Sequence, residues 1–564
     1  MKRAAIVASV LLVACAGEPP PPAPSEASAP ADEACPASSY RAALDEGCVT
    51  GAYATCFEGS RRRASGWGCE AIVSPVACTG ATRDAIGEEG CVPVGDCDAP
   101  FPPSDATHFV SPAAIVDATH FQTIRDAVDA APAGAVIAVD AGEYRESVVV
   151  QKPVTLAGRC PARVAWQGAP RDRALRVEGV KATVRGFTFE SSVVGVSLGS
   201  GASLTLEDSV VDGNTLAGVI IADGNARADL ARVVIRNTRP SNEGDRGVGI
   251  NVQGKSVLVA RDCAFAGNHT QNVRVSTESE ATLERIVSRD GRPTPAADYG
   301  RGIQVQQGAR ATITRAAFLD NHDIGIVAGD DTRIDLREVI VARTKLAASG
   351  QFGRALNAHG RAIVQGEHVH LHDNHDATVM VAEAGTSVSL VASTVVDTDY
   401  DKEGLAGRAV TTQEGASFEM RDGAVVGSKE VAVVVFGRGS RATLRRTVIR
   451  QTAPNWGDYF GHGAMASFGG TLALEDVEVA ESFGTGIAIG DGAALLSRVR
   501  VRDNQVGLYV QDGTALRELV SVSTDKGEEE NAVLVSIDSV FLGNATRLSA
   551  GVLPLPEPSR SIGP

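Results

Sequence analysis

The sequence predicts an all-β chain wound as a parallel β-helix solenoid, with a short helix closing its first coil and a small disulfide-rich module ahead of it. Three observations lead there. Of 564 residues 43% are hydrophobic, but only 15 Phe, 7 Tyr and 3 Trp stand beside 60 Gly, which suits many thin layers of Val, Ala, Ile and Leu. A short pattern recurs, an apolar residue followed three positions later by Asn, Thr or Ser, as in Phe265/Asn268, Phe318/Asn321, Val341/Thr344, Leu371/Asn374 and Val501/Asn504. From Asn214 to Asn504 the polar positions, with Asp290 taken as one of them, are spaced 24, 30, 22, 31, 23, 30, 24, 30, 24, 30 and 22 residues apart. Each unit holds only short period-2 segments such as Ala311–Thr314 and Ile324–Val327, broken by Gly, Asn or Asp, with no room for an ordinary helix. Stacked coils then pair strands about 4.8 Å apart, and the recurring Asn or Thr becomes a polar ladder at one corner.

Lys2 and Arg3 precede an apolar run, Ala4 to Ala14, which reads as an export signal over residues 1–14. The string Leu12-Val13-Ala14-Cys15 resembles the bacterial lipobox, which implies lipidation of Cys15; Ala16 after it implies retention at the outer membrane. Residues 15–34 carry Pro, Ala, Ser and acids, an extended tether that packs no core. The lipid is the expected membrane contact. A net charge of −16, from 53 Lys and Arg against 69 Asp and Glu, argues against a nucleic-acid partner or a general affinity for anionic membranes.

Seven cysteines (Cys35, Cys48, Cys56, Cys69, Cys78, Cys91 and Cys97) crowd into residues 35–100, a density that in an exported chain indicates disulfides. Cys160 is the candidate eighth, tying this module to the first coils of the solenoid; the pairings stay open. Cys263 falls inside a repeat and reads as a small buried hydrophobe. Residues 107–160 make the cap and first coils, with Thr123 as helix cap and Ile124, Ala127, Val128 and Ala131 on one helical face. Residues 161–545 hold the repeats and 546–564 a Pro-rich tail.

The run from Phe121 to Cys160, above all Gly142-Glu143-Tyr144-Arg145-Glu146 and Lys152-Pro153-Val154-Thr155-Leu156, resembles the opening of right-handed parallel β-helix proteins of the pectin-lyase-like superfamily. With the repeats the resemblance spans roughly residues 107–545 and implies a right-handed solenoid. It points to polysaccharide chemistry without fixing an activity. The pectin methylesterase motifs of the kind DFIFG and LGRPW are absent. Gly329-Asp330-Asp331 and Gly461-His462-Gly463 match polygalacturonase motifs but stand 132 residues apart, about five coils, whereas glycoside hydrolysis needs its carboxylates together. Asp298 with Arg301, or Asp245 with Arg246, would supply the acidic Ca2+ ligand and the Arg base of pectate-lyase-like chemistry, although neighbouring Asp and Arg are usually solvated pairs. Catalytic residues are therefore unassigned. No cofactor is expected, with Ca2+ the one ion left open.

His368, His370 and His372 alternate with Val369 and Leu371 and would project together from one strand, a weak metal candidate. Every second coil carries about seven extra residues, and these insertions emerge on one edge. They read SNEGDR (241–246), TPAADYGR (294–301), AASGQFGR (347–354), DYDKEGLAGR (399–408) and APNWGDYFGH (453–462). Asp298, Tyr299, Arg301, Phe352, Arg354, Tyr400, Arg408, Trp456, Asp458 and Tyr459 are the candidate ligand contacts, because rings beside charged groups suit sugars. The same rings would equally pin their own loops to the coils beneath. The sequence thus points to an envelope-anchored β-helix that binds extracellular or cell-wall polysaccharide without cleaving it. Alternatives are a polysaccharide lyase or hydrolase and a structural or protein-binding scaffold. Oligomeric state is not readable.

Overall fold

A computed structural model describes residues 35–36, 39–40, 48–169, 171–241, 243–295, 299–511, 514–525, 532–550 and 555–560. The export signal, Cys15, the tether and Asp298 lie outside the described residues.

The described chain is a three-sided parallel solenoid. One side is a 16-strand sheet whose strands stack in coil order, as Val248–Val252, Thr270–Val275, Gly300–Val305 and Ile324–Ala328 do. The other two sides are joined as a 31-strand sheet. Most coils give it one strand of about five residues and one of three, such as Val257–Arg261 and Ala264–Ala266. In four coils the two fuse into bent ten-residue strands, Glu280–Arg289, Arg310–Leu319, Arg333–Ala342 and Ile363–His372. All pairings within these stacks join one coil to the next in parallel register, for instance Phe265↔Ser288 and Ser288↔Phe318.

Each corner has its own chemistry. At the bend between the two joined sides sits a column of left-handed residues, which pair off as ions between adjacent coils. These pairs are Arg232–Asp208, Arg285–Asp262, Arg315–Glu338, Arg446–Asp422 and Arg498–Asp476. At the next corner runs the predicted ladder. Asn268, Asn321 and Asn374 each accept the backbone N–H of Thr238, Gly291 and Thr344 in the coil before, and return a side-chain N–H to a carbonyl there. Buried amide and backbone groups satisfy one another in this way. One rung differs from the sequence reading. Strand register places Ser288 and Gly291, not Val287 and Asp290, in the repeat, with Asp290 as the left-handed residue before the ladder.

The interior is one continuous apolar cluster, opened by Trp166, Phe187 and Phe189 and carried on by Val, Ile, Leu and Ala. Cys263 is buried within it and its thiol is pushed up to about 12 by burial. The helix Ile124–Ala130 closes the first coil: Thr123 accepts the Asp126 N–H at 3.1 Å, and both Glu146 carboxylate oxygens accept the N–H groups of Ile124 and Arg125. Ile124, Ala127 and Val128 bury themselves over the open coil end.

Disulfides join Cys56–Cys69, Cys78–Cys91 and Cys97–Cys160, and Cys35 and Cys48 are also disulfide-bonded. The disulfide-rich stretch lies lengthwise on one side of the solenoid and runs against the direction of the coils. Tyr53 and Trp67 pack on Val396, Ala424, Val426 and Val448, far along the solenoid. Phe57, Val73 and Ile86 pack on Ala317, Leu319, Ile340 and Ala342; Val94 packs on Val210, Val234 and Ala264; Cys97 then ties the stretch to the first coils. Arg63 bridges Asp373 and Asp397, and the buried Arg289 pairs with Asp84.

Candidate functional site

That cover corrects the expectation for the histidines. His370 and His372 do point outward, but the disulfide-rich stretch buries them. His370 stacks on Phe57 and shares a 2.9 Å hydrogen bond with Thr394, and His372 Nδ1 lies 2.7 Å from Asp373. His368 occupies the left-handed bend position, where most other coils place an Arg or an acid. Among the described residues no three His, Cys, Asp or Glu side chains converge to hold a metal.

The outer side of the 16-strand sheet and the loops along its edge form the candidate site. In three alternate coils an arginine stands at or next to the start of the strand, Arg301, Arg354 or Arg408, and the next coil places an acid just before its own strand. Each Nε donates at 2.6 Å to that acid: Arg301 to Asp323, Arg354 to Asp376 and Arg408 to Glu430. All three arginines are buried, and their guanidinium planes lie over Tyr299, Phe352 and Phe436 at 4.0, 4.7 and 5.3 Å. The acid's backbone carbonyl also accepts two N–H groups, as Asp376 does from Gly407 and Arg408. The predicted ligand arginines are thus part of the solenoid's frame. In the fourth such coil His462 takes the arginine's place and is held at about 4 by burial, with the Thr485 N–H donating to its Nδ1.

Four of the inserted loops share one closed tip. Ser241 N–H donates to the Asp245 carbonyl, Ala347 to Gln351, Asp401 to Leu405 and Asn455 to Tyr459. The side chains of Asp401 and Asn455 each accept two N–H groups inside their own tips. Three tips then stack into a wall: Lys402 N–H donates to Gly350, Trp456 N–H to Gly404, and Tyr400 Oη to the Pro454 carbonyl at 2.7 Å. Gly404 is required here, because a Cβ would fall 2.1 Å from the Trp456 ring and its φ is +75°. Tyr400 is half-buried and edges onto Trp456, so it pins the wall, whereas Trp456 and Tyr459 are 69% and 62% exposed with the exposed Asp458 between them. The two readings of the loop rings therefore divide by residue.

Between the wall and the sheet is a cleft of about 450 Å³, lined by Phe352, Arg354, Asp376, Asp401, Arg408 and Glu430 among others. Burial pushes the Asp401 carboxyl up, helped by Asp376 and Glu403; burial also raises Glu430, against the pull of Arg408. Residues 555–560 lie extended in this cleft across successive strands. Leu555 packs against the apolar patch of Val434, Phe436 and Met465. The Glu557 carbonyl accepts from Arg408 Nη2 at 2.7 Å, the Ser559 carbonyl from Gln413, and the Arg560 carbonyl from Arg354 Nη2 at 2.8 Å. Sequence reading missed Asp376, Asp401 and Glu430. The signal for Asp376 and Glu430, as for Asp323, was an acid 22 residues after Arg354, Arg408 and Arg301; Asp401 has no such signal. The Gly329-Asp330-Asp331 and Gly461-His462-Gly463 strings stand five coils apart, with Asp331 paired to Arg361 and His462 buried.

A solenoid of parallel coils with these corners defines a right-handed parallel β-helix protein. Residues 173–338 match the family described as right handed beta helix region. Among solved structures the chain is similar to the A-module of mannuronan C-5 epimerase AlgE4 from Azotobacter vinelandii, at 14% identity over 76% of this chain and 95% of that one, with a TM-score of 0.31. It is also similar to an alginate lyase from Paenibacillus sp., at 12% identity over 53% of this chain and 91% of that one, with a TM-score of 0.28. The Dettilon tailspike protein is similar at 12% identity over 75% and 66%, with a TM-score of 0.34. No curated protein matches the sequence.

Proposed function

We propose that this chain is an exported protein, tethered to the cell envelope through Cys15, whose 16-strand side and loop wall bind an extended polysaccharide without cleaving it. The observation that carries this reading is the wall. Loop tips locked by their own hydrogen bonds hold Trp456 and Tyr459 open to solvent beside a cleft long enough to hold an extended segment. Rings fixed before binding lose little freedom when a sugar stacks on them, so such a surface favours affinity. Three of the cleft's carboxylates are already engaged, which supports binding over cleavage. Asp376 and Glu430 are paired to arginines, and Asp401 is occupied by two N–H groups of its loop, whereas acid–base chemistry needs a carboxyl free to reach the bond.

Cleavage is the second reading. It is favoured by the upward shift of Asp401 and Glu430 in one cleft, since perturbed carboxyls gather at catalytic sites. Chromatography with light scattering of neutral and acidic polysaccharides incubated with the full chain, with and without Ca2+, separates the two. Binding predicts polymer that comigrates at unchanged length and is released by Trp456→Ala with Tyr459→Ala. Shortened polymer, with activity lost in Asp401→Asn, would replace binding by cleavage. Lipid labelling that disappears in Cys15→Ser checks the tether.

A further inference from the structure

Towards the first coils the described residues of the same side form a depression of about 380 Å³ that residues 555–560 do not line, with Gln271, Arg274, Arg301, Gln304, Gln306 and His359 among those that do. We infer that Arg274 anchors an oxyanion subsite there, which receives a carboxylate or sulfate ester carried by the bound polymer. This rests on the polysaccharide reading above and narrows it to anionic chains.

Arg274 differs from the arginines around it. Arg301, Arg354 and Arg408 each have a carboxylate at 2.6 Å. Arg274 has none among the described residues, and its Nε is buried with no hydrogen-bond partner. Its neighbours across the sheet are Asn251 and Gln304, amides that bring no charge. The Gln304 carbonyl oxygen is already taken by Gln271 Nε2 and Arg301 Nη1, both at 3.0 Å, and its Nε2 donates to Gln306. Asp330, the single carboxylate among the lining residues, makes no ion pair with it. Burial and the nearby Arg246 both act against the Arg274 charge.

A half-buried guanidinium without a counter-charge is costly, and the cost is relieved by an anion that arrives with the ligand. The planar fork matches a carboxylate or sulfate with two parallel bonds. Tyr299, 38% exposed and stacked on Arg301, adds an apolar wall beside it. The overall charge of −16 disfavours acidic polymers at a distance, but contact is decided locally, where Arg274 is uncompensated.

The test is calorimetric titration of the full chain with three oligomers: a uronic acid, its methyl ester and a sulfate ester of a neutral sugar. Arg274→Gln should weaken whichever charged oligomer binds by about tenfold, the value of one charge-assisted contact, and leave the methyl ester unchanged. Arg274→Lys should recover part of the loss. The carboxylate and sulfate arms identify which anion is read. An equal change for acid and ester, or none, overturns the subsite even while Trp456→Ala still weakens binding. As a probe independent of polymer, inorganic sulfate should raise the melting temperature of the wild-type chain and not of Arg274→Gln; no effect on the wild type also overturns it. Polymer binding that fails altogether, with the sulfate effect intact, removes the polysaccharide reading and leaves the anion site standing.

Discussion

The side of the solenoid under residues 48–97 and the side along the loop wall use the same coils, yet among the described residues one is covered over many coils and the other over few. Under the disulfide-rich stretch most outward residues are apolar or paired: Ala317, Leu319, Ile340, Val426 and Val448 receive rings and aliphatic side chains, and Arg289 receives Asp84. On the 16-strand side the outward residues change along the axis. From Arg274 and Gln304 they pass to Met380, Val434 and Met465, and among the described residues Leu555–Arg560 cover the later coils, from the strand of Arg354 onward. Covering apolar strand surface is a folding requirement, because sheets bury a hydrophobic face. A polar stretch with rigid loops beside it meets no such requirement, and that difference is what supports the proposed binding on the second side.

The comparison is tested hardest at Trp67, which anchors the disulfide-rich cover on Val396, Ala424, Val426 and Val448. Trp67→Ala should cost about 3–5 kcal/mol in urea unfolding, with hydrogen exchange rising first in Val396 and Val448. Exchange confined to residues 48–97 would show that the cover is a dispensable attachment.

The loop side is tested next at the Arg408–Glu430 pair, both side chains 5% exposed. Glu430→Gln leaves a buried cation and should cost about 3 kcal/mol, whereas Arg408→Met with Glu430→Gln should be close to neutral. A single substitution as mild as the double one would mean that solvent reaches the cleft and the frame is looser than the distances imply.

How much of this was legible in the sequence depends on range. The coil period, the Asn ladder, the capping helix and Cys160 as eighth cysteine were readable because each is a local pattern or a count. The rung at Ser288 was misplaced because Val287 and Asp290 satisfy the same short pattern, and only inter-coil register separates them. The loop arginines were assigned to ligand because the acids that hold them, 22 residues on, lie in the next coil. His370 was assigned to the surface because nothing near it in sequence announces Phe57, more than 300 residues earlier in the chain, as its cover.

A pH series then probes both sides together. Burial holds His370 at about 3 and His462 at about 4 in the folded chain, against an ordinary 6.5. Below that value the unfolded chain takes up protons that the folded chain refuses. Stability should therefore be full above about pH 6.5 and fall as pH drops toward the folded values, by roughly 2 kcal/mol per histidine at pH 5. His370→Gln should flatten the loss recorded by exchange under the disulfide-rich cover, and His462→Gln the loss on the loop side. A slope untouched by either would assign acid sensitivity to the carboxylates.

The smallest effect belongs to the thinnest cover. Leu555 is half-buried against Val434, Phe436 and Met465, and truncating it should cost about 1–2 kcal/mol of local stability. Global unfolding should hardly move, because residues 555–560 bridge coils that are already paired strand to strand. Locally the change is larger, since losing the anchor also frees Arg354 Nη2 and Arg408 Nη2 from the carbonyls of Arg560 and Glu557. If the segment occupies the track of the polymer, Leu555→Ala should tighten polysaccharide binding by about fivefold to thirtyfold, in line with that local cost. Weaker binding in Leu555→Ala would instead make the segment a wall of the site, and the functional side would then have a cover on one half and a completed groove on it.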